Sequence, residues 1–297
     1  MEHLFRSLMF VPAHNERLMN SAAHCDADIL LLDIEDSVQP DFNKQVAREN
    51  ILRYIETRYG TFHGRILYPR VNDRESGELL RDIYQLTVKG ITGFMYPKSK
   101  KGEDIYFFGK LLETIEYEKG FPIGTFKIIP LIETTSAVMN IQDICTACPN
   151  RVTAVAFGCE DFVTDLGGKH DTEGLSIFTA RANIAMGAKA CGVVPIDTVH
   201  IRVHDLEDLE RNLILSKKLG FEGMLILNPK ELPLCHHYYT PSDEEVAWAK
   251  EMIDLAEEAQ REGKGVALKD NKFIGPPMVK MAKTIITKYH LICRTKK

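Results

Sequence analysis

Two stretches decide the fold: KIIPLIE (127–133), which ends on Glu133, and VTAVAFGCED (152–161), which ends on Asp161. Each is an apolar run of strand length with several β-branched residues, and each closes on an acid. In a barrel that alternates strand and helix, the C-terminal ends of the strands converge on the catalytic mouth. Carboxylates from neighbouring strands can hold one divalent cation there. The pair therefore predicts a metal-dependent enzyme, with Glu133 and Asp161 as the metal ligands.

Outward from this pair, similar runs recur at 7–12, 28–33, 65–71, 91–96, 195–202 and 222–227. Segments of helical periodicity separate them, such as SGELLRDIYQLTVK (76–89) and LEDLERNLILSKKLG (206–220). Strands alternating with helices imply a parallel sheet, because each parallel connection needs a crossover. Eight such units predict an α/β fold of the closed (β/α)8 TIM-barrel type over residues 1–235. A doubly wound sheet would want a glycine-rich phosphate fingerprint after an early strand, and the first strand here runs into PAHNER (12–17) instead.

Residues 236–297 exceed what the barrel needs and predict a C-terminal helical extension, a lid or an oligomerisation arm. Ser242 and Glu245 form a capping box before VAWAKEMIDLAEEAQ (246–260), and Gly263 and Gly265 stop that helix. A linker, ALKDNKFIGPP (267–277), leads to a last helix, MVKMAKTIITKYHLI (278–292).

With 297 residues, 44% of them hydrophobic and 27% charged, the chain can bury a large core, which excludes a disordered or fibrous protein. A net charge of −5 gives no general attraction for nucleic acid or an anionic membrane, leaving room only for a local basic pocket. No apolar run is long enough to span a membrane, and MEHLFRSLMFVPAHNER (1–17) places charges where a signal peptide needs its apolar centre. The expectation is a cytoplasmic protein whose partners are small molecules and copies of itself. Seven scattered cysteines make no disulfide framework and suit a reducing compartment. Cys145 and Cys148 have CxxC spacing without a second pair, so packing at a helix end is preferred over zinc or redox chemistry. Cys235, His236 and His237 sit in what reads as a proline-flanked loop, ELPLCHHYYTP (231–241), where histidines without ligation are common.

Further candidates stand at the ends of the other strands: Asp33, Glu35 and Asp36, then Arg70 and Asn72, Lys98, His200 and Arg202, and Asn228. Asp33 ends its apolar run directly and is expected at the mouth. Asp36 reads better as a helix-capping acid or a partner of Arg17 or Arg48. Arg70, in YPRVN (68–72), places a planar fork among acids, where it suits a substrate carboxylate or a carbonyl oxygen gaining charge. The competing reading is an internal salt bridge to Glu133 or Asp33.

RSLMFVPAHNERLM (6–19) and ADILLLDIEDSV (27–38) resemble the opening of the citrate lyase β-subunit and its relatives, the malyl-CoA and citramalyl-CoA lyases. YPRVN, MYPK (95–98), PLIETTSAV (130–138), FGCEDFVTDLGG (157–168) and PIDTVHI (195–201) follow in the order of that family, so the resemblance covers about residues 5 to 232. It implies an oligomeric (β/α)8 barrel that binds Mg2+ or Mn2+ through Glu133 and Asp161. It further implies that Arg70 and Glu133 contact substrate, and that Phe10 and Arg17 help hold a CoA-like moiety. The implied reaction is reversible cleavage of a 3-hydroxyacyl thioester, on CoA or a carrier protein, to a 2-oxo acid and an acyl thioester.

The tail departs from the family. Lyases of this kind carry an aspartate in a motif like D-G-K-M-I-D, whereas DNKFIGPP (270–277) puts Gly275 at the place of the acid. Arg202 stands where an aspartate is usual, and Asn228 where a histidine is usual. Asp270 or a water then becomes the candidate proton donor. Arg202 suits an extra carboxylate or phosphate, or else a surface bridge to Asp205 or Glu207. Two rival functions follow: a thioester hydrolase on the same scaffold, and a catalytically silent paralogue that binds a CoA-like ligand.

Overall fold

The computed structural model describes residues 3–56, 62, 64–171, 173–261, 263, 267–269 and 272–295. Strands and helices alternate from the start: β1 (Ser7–Pro12), α1 (Glu16–Ala23), β2 (Ile29–Asp33), α2 (Phe42–Glu56), β3 (Ile66–Leu67), α3 (Leu79–Leu86), β4 (Gly93–Tyr96), α4 (Gly102–Lys119) and β5 (Lys127–Ile132). They continue with α5 (Thr135–Met139), α6 (Ile141–Thr146), β6 (Ala154–Phe157), α7 (Cys159–Leu166), α8 (Leu175–Ala190), β7 (Val194–Asp197), α9 (Leu206–Leu219) and β8 (Gly223–Ile226). All eight apolar runs carry a strand. The strands pair in parallel in the order β3-β2-β1-β8-β7-β6-β5-β4, the sequence of neighbours that a (β/α)8 barrel requires.

The ring closes between β3 and β4, where the regular ladder is replaced by single bridges. Arg70 pairs with Asp33 on one side and Met95 on the other. Met95 N–H donates to Pro69 O (2.9 Å) and Val71 N–H to Met95 O (3.2 Å). β3 is only two residues long where the sequence predicts 65–71, and Pro69, which faces β4 and has no N–H to give, interrupts the pairing on that side.

Strands of this barrel are covered on both faces, by the barrel interior on one side and helices on the other, so they read as continuous apolar runs. In β2 every residue is buried. Leu8, Leu31, Met95, Ile129, Leu131, Ile196 and Leu225 are among the side chains of one core cluster drawn from strands around the ring. Glycine is needed where strands meet most tightly. A Cβ on Gly223 would stand 1.6 Å from Phe5 O, and one on Gly93 would stand 2.3 Å from Lys127 O.

Beyond β8 come α10 (Leu232–Tyr239), α11 (Asp243–Arg261), β9 (Ala267–Lys269), β10 (Lys272–Ile274) and α12 (Pro276–Thr295). Two compact units are present: Phe5–Cys235, and Met1–Leu4 with His236–Lys297, so far as these are described. The capping box of α11 forms as expected, with Glu245 N–H on Ser242 Oγ (3.1 Å) and Ser242 N–H on Glu245 Oε2 (2.9 Å). Ala249, Met252, Ala259, Ile274 and Ala282 form the core of this unit. Two sequence expectations need correction. The supposed linker contains an antiparallel hairpin of β9 and β10, and Cys235, His236 and His237 lie on helix α10. Pro233 falls in the first turn of α10, where its missing N–H is not required. Among the described residues no helix is long and apolar enough to cross a membrane.

Candidate active site

A cavity of about 490 Å³ opens at the C-terminal ends of the strands, with Phe10, Asp33, Arg70, Glu133, Gly158 and Asp161 among its lining residues. Its polar end is built on Asp33, the last residue of β2. Arg70 Nε and Nη2 donate to Asp33 Oδ1 and Oδ2, each at 2.7 Å, and Nη1 lies 3.1 Å from Glu35 Oε2 and 3.4 Å from Asp36 Oδ2. The fork thus grips an internal carboxylate, the salt bridge to Asp33 that the sequence left open. Burial pushes the Asp33 carboxyl up, but the charge and bonds of Arg70 outweigh it and hold the group below the usual carboxylate range. Burial opposes the Arg70 charge as well, yet the surrounding acids raise its pKa and keep it ionised. The Phe10 ring lies 4.8 Å from the guanidinium carbon, a cation–π contact that fixes the plane of the fork.

Lys98 joins the acids to the next strand. Its φ of 52° is left-handed, an uncommon conformation for a lysine. In that turn its N–H donates to Glu133 Oε1 (2.5 Å) while its Nζ reaches Glu35 Oε1 (2.8 Å). Burial pushes Glu35 up to about 7 against the pull of Arg70 and Lys98.

Glu133 follows β5 and is 2% exposed. Burial above all, then the negative charge of Glu35 and Asp161, pushes its carboxyl up to about 8 against the Lys98 hydrogen bond. Its Oε2 has no hydrogen-bond donor among the described residues and faces the space left by Gly158, where a Cβ would come within 3.1 Å. Asp161 does not end a strand, which is a correction. β6 stops at Phe157, Gly158 follows, and Asp161 sits exposed in the first turn of α7. An acid there is favoured by the positive end of the helix dipole. Gly158 supplies no side-chain cap; the Cys159 N–H donates to Thr198 Oγ1 (3.2 Å), which leaves the Glu160 and Asp161 N–H groups of the α7 first turn without a partner among the described residues.

Asn72, His200, Arg202 and Asn228 lie outside the lining of this cavity. Asn72 donates to Asp82 (2.8 Å) and Ile34 O (3.3 Å) and accepts from Lys44, a wholly structural set of contacts. His200 is buried against Asp208 (Nε2 to Oδ2, 3.0 Å), and Arg202 is half-exposed with its own nearest acid, Asp208, at 3.9 Å. Asn228 accepts from Lys230 N–H and caps a 3-10 turn. Asp36 pairs with Arg70, while Arg48 is taken by Glu78 and Asp82, so neither anticipated partner of Asp36 is used. Arg17 projects from α1 without an ion pair among the described residues. Cys145 and Cys148 are buried, and Cys148 packs against Gly109 of α4, where a Cβ would meet its sulfur at 2.3 Å. Gly275 immediately precedes α12, and Asp270 lies outside the described residues. Sequence reasoning missed Cys159, Glu160 and His170, which come together beside the mouth. His170 stands in a loop, far from any strand-end signal.

A barrel of eight strands with acids and a gripped arginine at its mouth agrees with the family model that the sequence matches, the HpcH/HpaI aldolase/citrate lyase model, over residues 6–229. The chain belongs to the HpcH/HpaI aldolase/citrate lyase family. Its HpcH/HpaI relatives include the citrate lyase subunit beta of Haemophilus influenzae, 28% identical over 95% of this chain and 96% of that protein. The mitochondrial citramalyl-CoA lyase of Homo sapiens is 28% identical over 95% of this chain and 84% of that protein. The CitE protein of Mycobacterium tuberculosis, solved with magnesium, acetoacetate and coenzyme A, shares the family fold with a TM-score of 0.72 at 23% identity. That match covers 98% of this chain and 100% of CitE.

Proposed function

We infer that this protein is a magnesium-dependent carbon–carbon lyase that cleaves a 3-hydroxyacyl thioester of the citryl, malyl or citramalyl type into a 2-oxo acid and an acyl thioester. Family membership and the names of the relatives support the reaction class. The observation that carries it to this site is Glu133: a buried carboxylate at about 8, crowded by two other acids, with one oxygen open to a space that a Cβ at 158 would fill. Its ionised form is costly there unless a cation faces it. Glu133 and Asp161 would hold Mg2+, or Mn2+ in its place, as oxygen ligands suited to hard cations. When bound, the ion would supply Lewis acidity to the carbonyl and carboxylate oxygens of the 2-oxo acid.

The remaining groups bind, orient and balance charge. The open N–H groups of the α7 first turn suit a carboxylate, by the same physics that places anions at helix N-termini. Arg70 acts as a fixed positive charge at the edge of the cavity. Asp33 and Phe10 hold it in one orientation, and its field stabilises oxygen charge that grows as the carbon–carbon bond breaks. The cavity extends along α1 past Leu18, Ser21, Ala22 and Cys25, an alley for the pantetheine arm, with Phe10 at its base and Arg17 available to a phosphate of CoA. The extension at 236–297 would act as lid or oligomerisation arm of a cytoplasmic homo-oligomer. The wholly free cysteines of the described chain favour that compartment.

The test is an assay of the magnesium-loaded protein against a panel of 3-hydroxyacyl-CoA and carrier-protein thioesters, read for both halves of the product. A 2-oxo acid with an acyl thioester supports the lyase. Free CoA with an intact hydroxy acid identifies a hydrolase, and binding without turnover identifies a silent paralogue.

A further inference from the structure

Three donor side chains beside the mouth have no part in the reaction above. Cys159 Sγ, a Glu160 carboxylate oxygen and a His170 ring nitrogen lie within 4.8 Å of one another, the one such trio of His, Cys, Asp or Glu ligands among the described residues. His170 Nε2 is 2.9 Å from Glu160 Oε1, and Cys159 Sγ is 3.9 Å from the same oxygen. The trio is also placed at a cavity wall. Cys159 lines both the active-site cavity and a second cavity of about 170 Å³, and His170 lines the second. Open space on that side leaves room for water as a fourth ligand, the arrangement of three protein groups and one water that an open tetrahedral zinc site uses.

The charge is suitable too. Asp171, next to His170, is already occupied, its carboxylate accepting from the N–H groups of Leu175 (3.0 Å) and Ser176 (2.8 Å) at the start of α8. That leaves one carboxylate, one imidazole and one thiol; burial pushes the Cys159 thiol up to about 12, so the ion itself must displace the proton, after which the set balances a divalent cation. Sulfur and imidazole select zinc-class ions, whereas oxygen-only sets suit magnesium.

We propose that Cys159, Glu160 and His170 form a binding site for a thiophilic divalent cation of the zinc class, separate from the oxygen site at Glu133 and Asp161. On binding, a sulfur–metal bond forms and the thiol proton passes to solvent, with no change of oxidation state. An ion there stands beside the first turn of α7 and would impede turnover. That consequence rests on the function proposed above, whereas the site itself does not. The alternative is a surface ion pair of Glu160 with His170, and a Cys159 that merely packs.

Cobalt(II) titration of the full-length protein, held in excess magnesium so that the oxygen site is filled, separates the two. The expected result is a saturable near-ultraviolet thiolate-to-cobalt charge-transfer band at one ion per chain. It should vanish in Cys159→Ser, persist in Asp161→Asn, and need at least about tenfold more cobalt in His170→Ala. No band in the wild-type protein, an unchanged band in Cys159→Ser, or loss of the band on raising magnesium would each overturn the proposal. If Cys159→Ser does not fold, Glu160→Gln and His170→Ala decide in its place: both lie near the surface, and unchanged cobalt affinity in both overturns the site.

Discussion

Arg70 grips Asp33 through two parallel bonds of 2.7 Å, and the two residues are also bridged through their main chains. The guanidinium is therefore already oriented before any ligand arrives, and its geometry belongs to the protein rather than to a substrate. A preorganised charge of this kind loses no free energy to reorganisation during the reaction.

Arg70→Lys keeps the charge but cannot reproduce the double bond to Asp33 or the stacking on Phe10. We expect a loss of about 1 to 3 kcal/mol in stability together with a fall in turnover of about 10²-fold or more. Thermal unfolding and steady-state kinetics on one preparation check both. Near-native kinetics in a destabilised variant would reduce Arg70 to a structural residue.

Glu133→Gln and Asp161→Asn each remove one anionic ligand from a hard-cation site. Magnesium affinity measured by calorimetry should drop at least about tenfold in each, with metal-dependent turnover lost. Unchanged affinity in both variants would place the ion elsewhere.

Gly158→Ala leaves every ligand in place and fills the space into which Glu133 points, since the new Cβ would stand 3.0 Å from Glu133 Cβ and 3.1 Å from its Oε2. The backbone there, with φ of −101°, accepts alanine. We expect a fold of ordinary stability with magnesium binding weakened by about tenfold, because small displacements of a ligating group are costly. Calorimetry on this variant tests the shape of the site independently of its charge.

Glu231, in the 3-10 turn after β8, offers a pH test on a group other than the metal ligands. Burial pushes its carboxyl up to about 7, against bonds from the Asn228 and Leu227 backbone, while an unfolded chain would hold it at the usual 4.5. Between those values the folded protein keeps a proton that the unfolded chain releases, so stability declines as pH rises from 4.5 through about 7. Glu231→Gln should therefore be more stable than the wild type by about 1 to 3 kcal/mol at pH 8 and no more stable at pH 4. Denaturation at the two pH values reads the difference directly.

Gly275→Asp places an acid where the resemblance to the lyases implies one. If the missing donor limits turnover of malyl- or citramalyl-type thioesters, cleavage should rise by about 10²-fold or more. The new Cβ would come within 2.8 Å of the Phe273 ring, which has to shift and is exposed enough to do so, and φ at 275 is not left-handed. An aspartate just before α12 also makes a good N-cap, so stability should hold or improve. Unchanged cleavage in a folded variant would show that the proton comes from another group.

The barrel was legible because each buried strand leaves an uninterrupted apolar run, and the acids at 33 and 133 stand where such runs stop. The sequence reads Asp161 as the end of a strand, whereas the strand breaks at Gly158 and Cys-Glu-Asp opens a helix. Acids two and three residues after a glycine are themselves a helix-start signal, masked here by the apolar run before them. The grip of Arg70 on Asp33 joins positions 37 residues apart and leaves no mark in composition. The same holds for the left-handed turn at Lys98, a residue type that gives no warning of positive φ. His170 reaches Glu160 from a glycine-preceded loop whose path only the fold determines.

The seam between β3 and β4 hangs on a few main-chain bonds around Pro69, Arg70 and Met95. Peptide groups, not side chains, keep the ring shut at that point, so natural variation at position 70 could change the chemistry without unzipping the cylinder. The converse also holds: this slit is where amide hydrogens should exchange soonest among the strands, and each brief parting there would swing the guanidinium out of register. Rigidity of the wall and fidelity of the reaction are in this way tied to one peptide plane.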